Sequence, residues 1–264
     1  MSVVRNHALA QLRAGKLAIG LGLRQARTVD IGQIAKTAGF DWLFIDCEHN
    51  SMGTDTAAQI ASAALAIGIT PVVRVAGKHE HWLISRMLDN GAQGVVIPHV
   101  DTADEAKRIA DFCRFPPLGH RSMGGGLQQI GFASMPVGEA SKVVNEETLV
   151  VVMLESPQAI ENCEAIAAVK GIDALLIGTN DLCFEMGIPG QFNDPRVAEA
   201  YRKMIAACRK HGKFAGMGGM YTAELLERHI AMGVQLILSG SDFSLLQQAA
   251  KQRADLVRGF EPKR

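Results

Sequence analysis

Residues 40–50 read FDWLFIDCEHN. Trp42, Leu43, Phe44 and Ile45 form an unbroken apolar run, and Asp46, Cys47, Glu48 and His49 end it abruptly. An apolar run of this length without polar alternation is a strand covered on both faces, which calls for a parallel sheet or a barrel. Such a strand has no place for ionisable groups along its body. Its carboxyl end does, because ligand sites of parallel α/β folds lie off the carboxyl ends of the strands. The polar cluster is therefore either a set of ordinary charges on a surface turn or a catalytic carboxylate–imidazole pair, Asp46 and His49.

The pattern recurs outward from this stretch. Further strands are expected at 17–23 (LAIGLGL), 71–75 (PVVRV), 94–98 (GVVIP), 149–154 (LVVVML), 174–177 (ALLI), 214–217 and 236–238. Helices are expected at 29–38, 55–67, 81–90, 103–112, 156–169, 195–211, 222–232 and 243–257. Gly68 is a helix stop signal and Thr102 a cap. Strands alternating with helices, with no composition break, predict one α/β domain over 1–264, a (β/α)8 TIM barrel. A doubly wound open sheet is the alternative. The barrel is favoured because polar clusters recur at several strand ends and not at one crevice. The one irregular stretch, 115–145, begins with PPLGHRSMGGG after Phe115, and a loop of that length implies a function or a neighbour.

Bulk properties narrow the partners. The 264 residues match the roughly 250 of such barrels, and 48% of them are apolar. Formal net charge is zero, which points to neither nucleic acid nor a membrane surface. Five cysteines without CxxC spacing predict reduced thiols and a cytoplasmic protein. No stretch has the length of a signal peptide or a transmembrane helix.

The chemistry should lie at the strand ends. Arg74, inside PVVRV, is costly to bury unpaired and should face a polar cavity or a carboxylate. Glu155 and Asp181 each follow an apolar run, in VVVMLES and LLIGTND. Two neighbouring carboxylates repel unless a cation lies between them, and oxygen donors alone favour Mg²⁺ or Mn²⁺. Helix capping is the competing account, strongest for Asp181. Asp89 reads first as a helix-end charge and His99 as a packed core histidine. No lysine sits inside an apolar strand, which disfavours Schiff-base chemistry.

In order, FDWLFIDCEH, PVVRV, MLDNGAQGVVIPHV, PPLGHRSMGG, LES and LIGTNDL resemble the HpcH/HpaI family of class II pyruvate aldolases, over about residues 16–250. The resemblance implies a (β/α)8 barrel whose C-terminal helix is exchanged between subunits of a homo-hexamer built as a dimer of trimers. It implies metal-dependent, reversible cleavage of a 4-hydroxy-2-oxo acid to pyruvate, or a related 2-oxo acid such as hydroxypyruvate, and an aldehyde. It makes His49 the general base, Asp46 its polarising partner and Asp89 a further acid raising its basicity. Arg74 becomes the group at the enolate oxygen, and Glu155 and Asp181 the ligands of Mg²⁺ or Mn²⁺, with Co²⁺ a further candidate. Thr179, Asn180 and Asp181 fall where backbone N–H groups bind the pyruvate carboxylate. Met153 stands where many relatives have Gln, GTNDLC where they have GPADLS, and Gly22 where some have an aromatic; these departures bear on the aldehyde.

Both lines lead to one mechanism, in which the metal and Arg74 stabilise an enolate and His49 removes the hydroxyl proton. The rivals are an oxaloacetate decarboxylase or a CoA-ester lyase with the same enolate chemistry, and, from another class, a barrel that only binds a 2-oxo acid. A CoA enzyme needs a basic cluster that is not visible here. Arg24, just past LAIGLGL, is expected at the mouth of the site, with Gly20 and Gly22 leaving room, holding the carboxylate or hydroxyls of the aldehyde half. The alternative is a surface arginine paired to a nearby acid.

Overall fold

A computed structural model describes residues 3–262. Its eight strands are β1 (Ala18–Leu23), β2 (Trp42–Asp46), β3 (Thr70–Arg74), β4 (Gly94–Ile97), β5 (Leu149–Leu154), β6 (Ala174–Gly178), β7 (Phe214–Gly218) and β8 (Leu236–Ser241). They pair in parallel, in chain order, and β1 pairs with β8 to close the barrel. The fold is a (β/α)8 TIM barrel.

The helices are α1 (His7–Arg13), α2 (Ile31–Thr37), α3 (Thr54–Ile67), α4 (His81–Asp89), α5 (Ala103–Cys113), α6 (Val137–Glu146), α7 (Pro157–Glu161), α8 (Cys163–Ala167), α9 (Thr179–Glu185), α10 (Pro195–His211), α11 (Ala223–Met232) and α12 (Asp242–Arg258). Local chemistry sets several of their ends. Thr102 and Glu105 form a capping box on α5, and Gly68 ends α3 at φ 77°.

Two apolar layers hold the barrel. The inner one contains Trp42, Phe44, Val72, Val96, Val151, Met153 and Leu176, with Ala8, Leu9 and Leu12 of α1. The outer one lies between strands and helices, with Leu43, Ile45, Ile60, Ile84 and Ile177 among its members. Alternate residues of each strand belong to alternate layers, as the pleat requires. Helix α1 is fixed by Asn6, whose Nδ2 donates to the carbonyls of Gln93 and Glu147, and by Ala8 N–H, which donates to Thr70 Oγ1. Those partners precede or begin their strands, so α1 covers the amino-terminal mouth and leaves the carboxyl mouth open.

The structure departs from the sequence expectations in five respects. Helix α1 was not expected. The irregular stretch 115–145 contains a 3₁₀ turn (Gln128–Ile130) and most of α6. The helix expected at 156–169 is broken into α7 and α8 at Asn162, whose side chain donates to the Asp101 carbonyl. Helix α9 follows β6 with no intervening loop. Gly20 and Gly22 do not open the mouth: a Cβ on Gly20 would overlap the Trp42 indole, and one on Gly22 would press on the Gly240 carbonyl at 3.1 Å. Their space is used by packing.

Candidate active site

The inner layer continues past the apolar residues into polar ones. On β2 the inward series runs Trp42, Phe44, Asp46; on β3 Val72, Arg74; on β5 Val151, Met153, then Glu155 just beyond the strand. Strand periodicity thus aims Asp46, Arg74 and Glu155 into the carboxyl mouth. On β6 the next inward position is Gly178, where a Cβ would overlap the Glu155 carboxylate. A glycine there is what makes room for the acid.

Asp46 is fully buried and Arg74 nearly so. They are register partners across β2 and β3. Arg74 Nε donates to Asp46 Oδ1 at 3.0 Å and Nη2 to Oδ2 at 2.7 Å. Nη1 lies 2.8 Å from Glu48 Oε2, and the guanidinium sits 5.0 Å above the Phe44 ring. Burial opposes the Arg74 charge, and the hydrogen bond and charge of Asp46, followed by Glu48, more than restore it, so its pKa is raised. Three of the five guanidinium N–H groups are engaged here, which leaves two for a ligand.

Asp46 does not orient the imidazole of His49. Its Oδ1 accepts the backbone N–H groups of Glu48 at 3.1 Å and His49 at 3.2 Å. With both oxygens committed to Arg74 as well, the His49 ring turns outward, 55% exposed, with Glu48 at 3.9 Å as its nearest carboxylate. Arg24 also reaches this cluster, its Nε 3.7 Å from Asp46 Oδ2 and its side chain 46% exposed.

Glu155 is buried. Its Oε2 accepts the N–H of His99 at 2.8 Å and lies 3.3 Å from His99 Nδ1. Burial pushes its pKa up to about 7, and the nearby charge of Asp181 pushes the same way. A desolvated carboxyl group beside a second carboxylate fits a bound cation. Capping does not account for either acid. Ser156, not Glu155, caps α7, and Gly178 precedes α9 with no side-chain cap from Asp181. Among the described residues no group of three or more His, Cys, Asp or Glu side chains is arranged for a metal, so these two acids would act with oxygens from outside the chain.

A cavity lined by Arg24, Phe44, His49, Arg74, Met153, Thr179, Asn180, Asp181 and Tyr221 joins these groups. A second, of about 390 Å³, is lined by His99, Asp101, Glu155 and Asp181. Asp181 borders both. Thr179 turns its hydroxyl away, donating to the Gly218 carbonyl at 2.8 Å and sharing a 2.8 Å hydrogen bond with the Tyr201 hydroxyl. What the start of α9 offers is the unpaired N–H groups of its first turn.

Asp89 is not brought to His49 within the chain. It lies before β4, at the amino-terminal side of the barrel, and pairs with Arg121 Nη2 at 2.6 Å. His99, expected in the core, is instead 54% exposed at the mouth with φ 54°. Its Nε2 is 3.5 Å from Glu48 Oε1. Sequence reasoning left Glu48 without a role and put His99 in the core. Glu48 sat in the quoted cluster, and His99 follows the Pro that ends an apolar strand; position at a strand end was the signal for both.

The HpcH/HpaI aldolase/citrate lyase family model matches residues 25–249. The chain belongs to this family. The family member is a carbon–carbon lyase of the aldolase type. It is 40% identical over 255 residues to a 4-hydroxy-4-methyl-2-oxoglutarate aldolase of Chaetomium globosum, covering 96% of this chain and 95% of that one. It is 37% identical to a hydroxypyruvate/pyruvate aldolase of Chromohalobacter salexigens, covering 86% and 88%. Among solved structures, an HpcH/HpaI aldolase from Desulfitobacterium hafniense superposes with a TM-score of 0.90 at 30% identity, covering 96% and 98%. Class II aldolases generally depend on a divalent metal, in keeping with the Glu155–Asp181 pair. None of the eight strands of this aldolase carries a lysine.

Proposed function

We propose that this aldolase cleaves 4-hydroxy-2-oxo acids reversibly into pyruvate, or hydroxypyruvate, and a carbonyl acceptor. The observation that carries the reading is one cavity at the carboxyl mouth with Arg74 on one side and Asp181, next to Glu155, on the other. Glu155 and Asp181 would hold a divalent cation, Mg²⁺, Mn²⁺ or Co²⁺, which when bound supplies Lewis-acid polarisation of the 2-oxo acid.

The chain's own residues do the rest. The N–H groups of Asn180 and Asp181 bind the oxo-acid carboxylate at the start of α9. His49 takes the proton of the C4 hydroxyl. The C3–C4 bond breaks, its electron pair becomes the enolate, and the C4 fragment leaves as the carbonyl product. The two free N–H groups of Arg74 donate to the enolate oxygen. The proton held by His49 is returned at C3, which completes pyruvate and restores the base. Phe44, Met153 and Leu238 give the cavity an apolar part that would take the methyl carbon. Arg24 at the mouth favours an acceptor that carries a carboxylate; the fungal relative is named for a substrate with two carboxylates, 4-hydroxy-4-methyl-2-oxoglutarate.

The same reading makes α12 a subunit contact in a hexamer, a dimer of trimers. It buries none of its residues in the chain and exposes Phe243, Leu246, Leu256 and Val257. Five free cysteines agree with a reducing, cytoplasmic setting. No helix among the described residues is long and apolar enough to cross a membrane.

The test is pyruvate release from 4-hydroxy-4-methyl-2-oxoglutarate and from a monocarboxylic 4-hydroxy-2-oxo acid. EDTA treatment should abolish it and Mg²⁺, Mn²⁺ or Co²⁺ should restore it. Full activity after metal stripping, or in Glu155→Ala, overturns the metal assignment; no release from any such acid overturns the reading.

A further inference from the structure

The loop that carries Arg24 is held from the far end of the chain. The backbone N–H groups of Arg24, Gln25 and Ala26 all donate to the carboxylate of Asp242, at 2.8, 2.9 and 2.6 Å. Successive N–H groups converging on one anion form a nest, and hydrogen bonds to an ionised acceptor are about twice as strong as neutral ones. Asp242 is the first residue of α12. It follows directly on Ser241, which caps α12 and is the register partner of Gly22 where β8 closes on β1. The place of this carboxylate is therefore fixed by barrel closure.

The other side of the loop faces the site. The Arg24 side chain lines the cavity, and Asp242 does not. Arg27 ties the loop further: Nη1 donates to the carbonyls of Arg24 at 3.0 Å and Ala26 at 2.9 Å, and Nη2 to Ser51 Oγ at 3.0 Å, two residues beyond His49.

We propose that Asp242 is a positioning residue for the acceptor end of the site: by anchoring three backbone N–H groups it presents the Arg24 guanidinium to an acceptor that bears a carboxylate. The inference rests on the aldolase reading given above. Without the Asp242 carboxylate the loop has to be ordered when acceptor binds, and that entropy cost appears in the KM of the acceptor that Arg24 holds.

The experiment compares wild type, Asp242→Ala, Asp242→Asn, Arg24→Ala and the Asp242→Ala/Arg24→Ala double variant. Pyruvate is the nucleophile, with glyoxylate as the carboxylate-bearing acceptor and propionaldehyde as the uncharged one. Asp242→Ala should raise KM for glyoxylate about fivefold to tenfold with a smaller change in kcat, and raise KM for propionaldehyde less than about twofold. In the Arg24→Ala background the same substitution should add less than about twofold, because the two residues act through one contact. Asp242→Asn, which keeps one acceptor oxygen, should fall between; it carries the test if Asp242→Ala fails to fold. Equal effects on both acceptors, a loss confined to kcat, or additive effects in the double variant overturn the inference. So do wild-type kinetics in both Asp242 variants. No product from the wild type with either acceptor removes the aldolase reading itself, and this inference with it.

Discussion

Asp46 and Arg74 are register partners on adjacent strands, and both carboxylate oxygens take guanidinium N–H groups, at 3.0 and 2.7 Å. The pair is buried, so neither charge has water to fall back on. Removing one partner of such a pair costs about 3–5 kcal/mol, because the other is left uncompensated. Asp46→Ala should therefore lower stability by that amount in equilibrium urea unfolding, and a value within about 1 kcal/mol of wild type contradicts the account. Arg74→Lys should also fail. An ammonium has three N–H donors, too few for both oxygens of Asp46, one of Glu48 and a substrate oxygen, and it lacks the planar fork that matches Asp46. Its kcat/KM should drop by about 10²-fold or more, as when an oxyanion donor is lost.

The His49 ring is exposed, and Asp46 takes only the His49 backbone N–H; in the proposed mechanism the imidazole is the base. His49→Ala should lose about 10²- to 10⁴-fold in kcat for aldol cleavage. Isothermal titration should still show metal and pyruvate binding, since neither uses the imidazole. Wild-type rates of both cleavage and deuterium exchange into the pyruvate methyl would assign the base elsewhere, and His99 would be the next residue to substitute.

His229 gives a pH dependence of stability unconnected with turnover. It is buried on α11, its Nδ1 donates to the Leu225 carbonyl at 2.7 Å, and its ring stands edge-on to Tyr201. Burial lowers its pKa below the usual 6.5, with the neighbouring Arg228 adding to the effect and the Leu225 bond opposing it. Below pH 6.5 the unfolded chain then binds a proton that the folded chain resists. The stability contributed by neutral His229 is present above that pH and is lost as pH falls through it. The urea midpoint should fall between pH 7 and pH 5, and His229→Phe should flatten that slope whatever its absolute stability. An unchanged slope would assign the acid sensitivity to other groups.

Helix α12 exposes Phe243, Leu246, Leu256 and Val257 along a segment with no buried residue, and it touches mainly β1 and β8. Such an exposed apolar face fits the subunit contact of the proposed hexamer. Light scattering should give a hexamer at micromolar concentration. Leu246→Glu combined with Val257→Glu should dissociate it and reduce activity. A stable, active monomer in the wild type refutes the assembly.

Much of the barrel was legible in short-range pattern. The apolar runs at 42–46 and 149–154 match β2 and β5 end to end, and the Thr102 and Gly68 signals held because capping is a contact between near neighbours. Helix α1 was not legible. Seven residues do not sustain an isolated helix, and this one exists because the barrel floor and Asn6 hold it. The same applies to the break at Asn162, caused by a carbonyl 61 residues away.

The sequence by itself determined which residues stand at the carboxyl ends of the strands, because strand periodicity and the apolar runs are local. That set Asp46, Arg74, Glu155 and Asp181 at one mouth. Only the tertiary structure decided who pairs with whom there. Asp46 binds Arg74 and not the His49 ring, since register between β2 and β3 aligns them and a three-residue turn cannot carry the imidazole back over a carboxylate already used. His99 comes to Glu155, and Asp89 goes to Arg121 at the other end, because barrel closure and helix direction bring together or separate residues whatever their spacing in the chain. Asp242, more than 200 residues from Arg24, reaches that loop for the same reason: β8 closes on β1, and the residue that follows β8 arrives at the end of the strand that began the barrel.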